Sequence, residues 1–459
     1  MADKYDLKRD IRFSTVVKSI DWDEAEGAWQ IEFGTGELLT ATYVLTAVGL
    51  LSVPTTPRIP GLSEFQGTAI HTFHWSEEIE WQDKRVAVIG TGSTGVQVIQ
   101  TIAPDVAQLT VLQLDASWCI PLHNSEIDAS EMDRIRSTYE EIFEACSQSP
   151  SGFLHRPDRR RLKEVSEQER IQFWENLYSE PGFGLWLANF RDVLLDEDAN
   201  RELSDFVAVK IRQRVKDPSL AEILIPKDHG FGTKRVPLET GYYETYNRDN
   251  VELIDLNVST ILRIAPDGIV IDVEGHERII EVDLIVFATG FDAVTGAFDR
   301  MDIRGVDGQS LREKWSNGPE TFLGIASAGF PNFLTVAGPQ SGSVASNFPR
   351  GIEEAVGYAT RLIQHGVKLG HARFEASRDA ELEWVEHVEE FHKMLLMSRT
   401  NSWFNGYNPN LDREVPTRPL IYSGGLVRYR DALLEEESQG FPNFHFSKQA
   451  VADQDAGTS

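Results

Sequence analysis

The chain has 459 residues, longer than the roughly 250–300 at which a single hydrophobic core stops growing, so two or more domains are expected. Hydrophobic residues at 41% and charged residues at 25% exclude a disordered or fibrous chain. A formal net charge of −28 argues against nucleic-acid or anionic-lipid partners, and requires any anionic ligand to be held by local dipoles and a few placed cations.

Cys119 and Cys146 are the only cysteines, too few for a disulfide framework or a four-cysteine metal site, so no metal and a reducing, cytoplasmic setting are expected. The N-terminus is charged and has no apolar h-region. No apolar run approaches the roughly 18 residues that would span a bilayer, so a soluble protein is expected, with no membrane contact.

In chain order, Ala28 to Phe33 alternates apolar and polar, turns at Gly34-Thr35-Gly36, and resumes at Leu38 to reach Tyr43–Gly49. That pattern predicts a hairpin feeding an apolar strand. Pro54, Pro57 and Pro60 then mark a linker, because proline lacks the donor that a ladder or helix needs. Arg85-Val86-Ala87-Val88-Ile89, a glycine loop, a helical stretch through Val96–Ile99 and a strand at Leu109–Leu112 form a βαβ unit of a parallel sheet. From about 125 to 228 apolar residues recur at helical spacing, which predicts an inserted helical subdomain. Strand character returns at Val251–Ile254, Gly268–Val273, Leu284–Phe287 and Phe333–Ala337, and the tail after Phe446 reads as polar and mobile.

The glycine loop, Gly90-Thr91-Gly92-Ser93-Thr94-Gly95, follows a strand, opens a helix, and is answered by Asp115 about 20 residues on. Gly90 permits the tight turn, Gly92 lets a pyrophosphate approach the backbone, and Gly95 allows the helix to pack on the strand. The unpaired N–H groups of the helix start supply the anion's donors.

Upstream, Phe65-Gln66-Gly67-Thr68-Ala69-Ile70-His71-Thr72-Phe73-His74-Trp75-Ser76 resembles the Baeyer-Villiger monooxygenase fingerprint, with Ser76 in place of the usual final Pro or Asp. Phe231–Arg235, Tyr242–Glu244, Asn247–Asn250, Ala288–Ala297, Gly329–Asn332 and Ala337-Gly338-Pro339 are similar to the same family in the same order. The resemblance implies an α/β fold with two dinucleotide-binding domains, FAD and NADP as cofactors, and small organic ketones and O2 as substrates. In such enzymes NADPH reduces FAD, the reduced flavin captures O2 as a peroxide, and that nucleophile converts a ketone to an ester or lactone; the cofactor carries the chemistry and the protein positions it.

The resemblance carries further roles onto this chain. Arg235 matches the family's catalytic arginine beside the flavin, a task suited to a guanidinium that keeps its proton. Lys234 matches the lysine near the coenzyme ribose phosphate, Trp403 the tryptophan over the nicotinamide side, and Gly338 and Pro339 the flavin-ring side of the FAD site. The domains expected are 1–62 as a remnant of the FAD domain, 63–122 and 230–282 as the Rossmann-like NAD(P) domain, 123–229 as its helical insertion, and 283–459 as the rest of the FAD domain.

Two departures qualify the resemblance. Gln113-Leu114-Asp115-Ala116 stands where the family usually has Gln-Arg-Thr-Pro, which predicts weakened NADPH preference and NADH use, with Lys234 pulling the other way. Residues 1–34 also carry no glycine cluster after a strand, so an N-terminally truncated chain with an incomplete FAD domain is expected, together with a separate chain supplying the missing half. An S- or N-oxygenating flavin monooxygenase and a non-catalytic nucleotide-binding remnant remain as alternative readings.

Overall fold

The computed structural model describes residues 1–342, 346–411 and 417–448. The described residues fall into two compact units, one within the bounds Met1–Leu50, Ala293–Glu389 and Leu420–Ser459, the other within Leu51–Asp292 and Glu390–Pro419.

The second unit is built on five parallel strands: β1 (Thr68–His71), β2 (Arg85–Ile89), β3 (Gln108–Gln113), β4 (Val251–Asp255) and β5 (Leu284–Phe287), in the order β4-β3-β2-β5-β1. Three of these strands read as nearly unbroken apolar runs because the sheet is covered on both faces. Alternation along each strand assigns the residues to the two covers. Val86, Val88, Leu109, Val111, Leu284 and Val286 share one core with Trp174, Leu185, Leu203, Val207 and Ile211. Ala87, Ile89, Leu112, Ile285 and Phe287 share another with Ile264, Ile269, Ile271 and Ile280.

The first cover is the stretch expected to be helical. It contains Ala129–Ser137, Tyr139–Ser147, Glu167–Ser179, Glu197–Arg214 and Pro218–Leu224. Its longer helices start where side chains answer their free N–H groups: Ser166 forms a reciprocal capping box with Glu169, and Asp196 accepts from Ala199. The second cover is an antiparallel meander of Ser259–Ala265, Gly268–Val273 and His276–Glu281.

In the first unit the expected hairpin forms from Ala28–Phe33 and Leu38–Ala41, and it is joined by Val17–Asp23 and Asp302–Arg304 in one four-stranded sheet. The apolar continuation breaks after Ala41; Val44–Thr46 starts afresh and pairs in parallel with Phe333–Thr335. Trp29 is fully buried and donates from Nε1 to the Pro331 carbonyl, tying chain segments 302 residues apart into one core with Trp22, Phe298, Trp315 and Phe333. The strand Phe444–Ser447 pairs with Arg373–Ala376, so the expected polar tail starts later than Phe446, and its residues 449–459 lie outside the described ones.

Candidate coenzyme and active site

Strand β2 is flanked by β3 on one side and β5 on the other, so the chain turns to opposite sides of β2 on successive visits. The crevice beyond the carboxyl end of such a strand is where open parallel sheets take ligands. The glycine loop stands there.

Gly90 has φ +105°, and a Cβ on it would lie 2.5 Å from the Ala288 carbonyl at the end of β5. Helix α1 (Ser93–Ile102) begins at once, and a Cβ on Gly95 would lie 2.2 Å from the Gly90 carbonyl, so the helix sits directly on the turn. A Cβ on Gly92 would meet nothing within 4 Å. That open side, at a helix start with no side-chain cap, fits a diphosphate accepting from the unpaired N–H groups. Ser93 and Thr94 are exposed beside it.

The side chain of Thr91 turns the other way. It is buried and donates from Oγ1 to the Asp115 carbonyl at 2.6 Å, while Ser117 Oγ donates to the Thr91 carbonyl at 2.8 Å. The acidic residue after β3 is thereby stitched to the loop. Lys234 reaches the same place, with Nζ 3.5 Å from Asp115 Oδ2 and 2.9 Å from Asp228 Oδ2. Burial alone would raise the Asp228 carboxyl, but His229 and Lys234 hold it far below the usual carboxylate range. Asp228 escapes sequence reasoning because nothing in its spacing from Lys234 is periodic.

Arg235, the next residue, is exposed and is set a different task. Its guanidinium lies over the rings of Phe183 and Trp186, at 4.9 and 5.4 Å from their centroids. Among the described residues no carboxylate pairs with it, and desolvation pushes its pKa down from the ordinary arginine value. Both rings come from the helical cover, and no motif marked them.

His71, in the fingerprint segment, is 5% exposed; Nδ1 accepts from the Phe73 N–H and Nε2 donates to the Gly290 carbonyl. These two partners require the neutral ring, and burial lowers its pKa accordingly. The Gly290 turn is also gripped by Asn408, which donates to Thr55 Oγ1 and the Phe291 carbonyl, and by Asn410, which donates to the Thr289 carbonyl. The segment after Trp403, which departs from the family pattern, is thus anchored in this unit. Trp403 itself is half-buried, with its ring 4.4 Å from that of Phe404.

Gly338 and Pro339 belong to the other unit, in the turn after Phe333–Thr335. A Cβ on Gly338 would fall 2.2 Å from Thr335 Oγ1, so packing demands this glycine. In the same turn Ser341 Oγ is fully buried with no hydrogen-bond partner among the described residues, a hydroxyl that fits a polar cofactor edge.

Residues 3–138 match the family described as pyridine nucleotide-disulphide oxidoreductase. The chain is 40% identical to 2-oxo-Delta(3)-4,5,5-trimethylcyclopentenylacetyl-CoA monooxygenase of Pseudomonas putida, over 94% of this chain and 79% of that protein. It is 35% identical to a Baeyer-Villiger monooxygenase of Pseudooceanicola batsensis, over 96% of this chain and 79% of the relative. The chain belongs to the Baeyer-Villiger monooxygenase family. The backbone of this Baeyer-Villiger family member superimposes with a TM-score of 0.92 on a crystal structure of OTEMO in complex with FAD and NADP, at 38% identity over 97% of this chain and 83% of that one. These matches bear out the expected α/β, two-dinucleotide-domain fold. They span 79% of the Pseudomonas putida relative and 83% of the OTEMO chain, and do not support a separate polypeptide supplying an FAD half. No helix among the described residues is long and apolar enough to cross a membrane.

Proposed function

We propose that this chain is an FAD- and NAD(P)H-dependent Baeyer-Villiger oxygenase that converts a small ketone, with O2, to an ester or lactone. The observation that carries the reading is the pairing of an open glycine turn at the switch point of a parallel sheet with Arg235, an exposed guanidinium that no carboxylate among the described residues neutralises. Bound FAD, reduced by the nicotinamide coenzyme, supplies the activation of O2.

The chain's own residues bind and polarise. The Gly90–Gly95 turn and the α1 N-terminus hold the coenzyme diphosphate, and Asp115 and Lys234 meet its adenosine ribose. Arg235, steadied on Phe183 and Trp186, stabilises negative charge developing at the reacting oxygen, since its proton stays in place at working pH. Residues 51–292 then form the coenzyme unit, with 123–229 as its helical cover, and Trp403 serves the nicotinamide side. The unit with Gly338, Pro339 and the Ser341 hydroxyl receives the flavin ring. With both thiols free, a reducing cytoplasmic setting suits the chain.

The test is to purify the chain, supply FAD, and follow flavin reduction by NADPH together with product analysis of ketone turnover. Arg235→Ala is expected to cut ester formation by about 100-fold or more while coenzyme oxidation stays measurable. Ester formation at the unsubstituted rate in that variant would reject the role.

A further inference from the structure

We propose that this chain reads the 2′ position of its coenzyme as a hydroxyl, through Asp115, and so accepts NADH at least as readily as NADPH. The proposal rests on the coenzyme site assigned above and specifies which coenzyme that site selects.

Asp115 stands just beyond the end of β3, where an acidic residue in this fold accepts a hydrogen bond from a ribose 2′-hydroxyl and where 2′-phosphate binders place an arginine. Its backbone is pinned to the glycine turn by Thr91, at 2.6 Å, so the carboxylate is presented at a set distance from the diphosphate cradle. Asp115 itself remains half-exposed, with its side chain 50% accessible. The preceding residue, Leu114, is exposed and offers no donor. Asn257 on the adjoining turn has its amide spent on the Leu114 carbonyl and on Asp255 Oδ1.

Lys234 is the cation beside Asp115, and its charge is already answered. It contacts two carboxylates, Asp115 and Asp228, and is 19% accessible. Lys234 is thus shared between two carboxylates, while His229 also lies on Asp228, at 2.7 Å. Lys227, close in sequence, is paired with Glu222 at 2.8 Å. A 2′-phosphate arriving here would have to displace Asp115 from Lys234 and would then face that carboxylate unpaired. A hydroxyl donates to Asp115 and leaves the ion pairs intact.

The proposal is tested on the full chain with two probes that need no flavin or turnover, ADP-ribose and 2′-phospho-ADP-ribose, titrated by calorimetry. ADP-ribose is expected to bind at least as tightly as its 2′-phosphorylated form. Any preference for the 2′-phosphorylated probe overturns the inference while leaving the coenzyme site standing. If neither probe binds, the coenzyme site itself is refuted. Asp115→Asn keeps an acceptor for the hydroxyl and removes the charge, so it should strengthen binding of the phosphorylated probe on the order of tenfold and change ADP-ribose binding little. An unchanged ratio in this variant, with the thermal midpoint retained, would also overturn the assignment to Asp115. Steady-state kinetics should follow the same ratio in KM for NADH and NADPH.

Discussion

Lys234 and Arg235 are chain neighbours with opposite surroundings. One is held by two carboxylates, and the other rests on two aromatic rings with no anion paired to it among the described residues. Their separate roles were expected from the family resemblance, but the partners that set their surroundings were not legible, since Asp228, Phe183 and Trp186 come from the helical cover. His71 adds a further residue-scale consequence. Burial holds its folded pKa below the ordinary 6.5, with Gly290 opposing and His74 assisting the shift. The unfolded chain therefore binds protons more readily, and this contribution to stability is complete above about pH 6.5 and lost as the pH falls through the folded pKa. Urea midpoints at pH 7.5 and 5.5 should show a drop that is smaller in His71→Gln; an equal drop in both proteins would assign the pH dependence elsewhere.

At the scale of elements, the strand, turn and helix from Arg85 to Ile102 are governed by three glycines with separate duties. Gly90 adopts a left-handed φ, Gly95 lets α1 rest on the turn, and Gly92 faces open space. Gly92→Val should keep the thermal midpoint within a degree or two yet abolish coenzyme binding. Gly95→Val drives a side chain into the Gly90 carbonyl and should cost about 3 kcal/mol or more of stability. Matching midpoints for the two variants would show that the glycines do not divide the work this way. The strands β2 and β5 were legible as short apolar runs, but which of their residues face which cover was not, because nearly every position is apolar. The short strand Val17–Asp23 was not, because it has meaning only beside Ala28–Phe33 and Asp302–Arg304.

For the whole molecule the dominant quantity is the net charge of −28, which opposes the approach of any dinucleotide. Screening that field should help the coenzyme arrive. Stopped-flow association rates are expected to rise between about 10 mM and 150 mM salt, as the Debye length falls from roughly 30 Å to 8 Å. A rate that falls with salt would mean that a local positive field guides the coenzyme in. The same scale explains why segments far apart in the chain, Met1–Leu50 and Ala293–Glu389, belong to one unit: Trp29, fully buried, packs with Phe298, Trp315 and Phe333.

The amino-acid sequence determined the parallel-sheet class, the glycine turn with its acidic partner and the family, because each is written in local periodicity or in the order of short motifs. Tertiary structure alone decided which charges pair and which rings steady Arg235. Those properties depend on distances between residues that lie tens to hundreds of positions apart, and no local pattern encodes such distances. Burial and charge pairing arise only when the folded chain brings those residues within a few ångströms of one another.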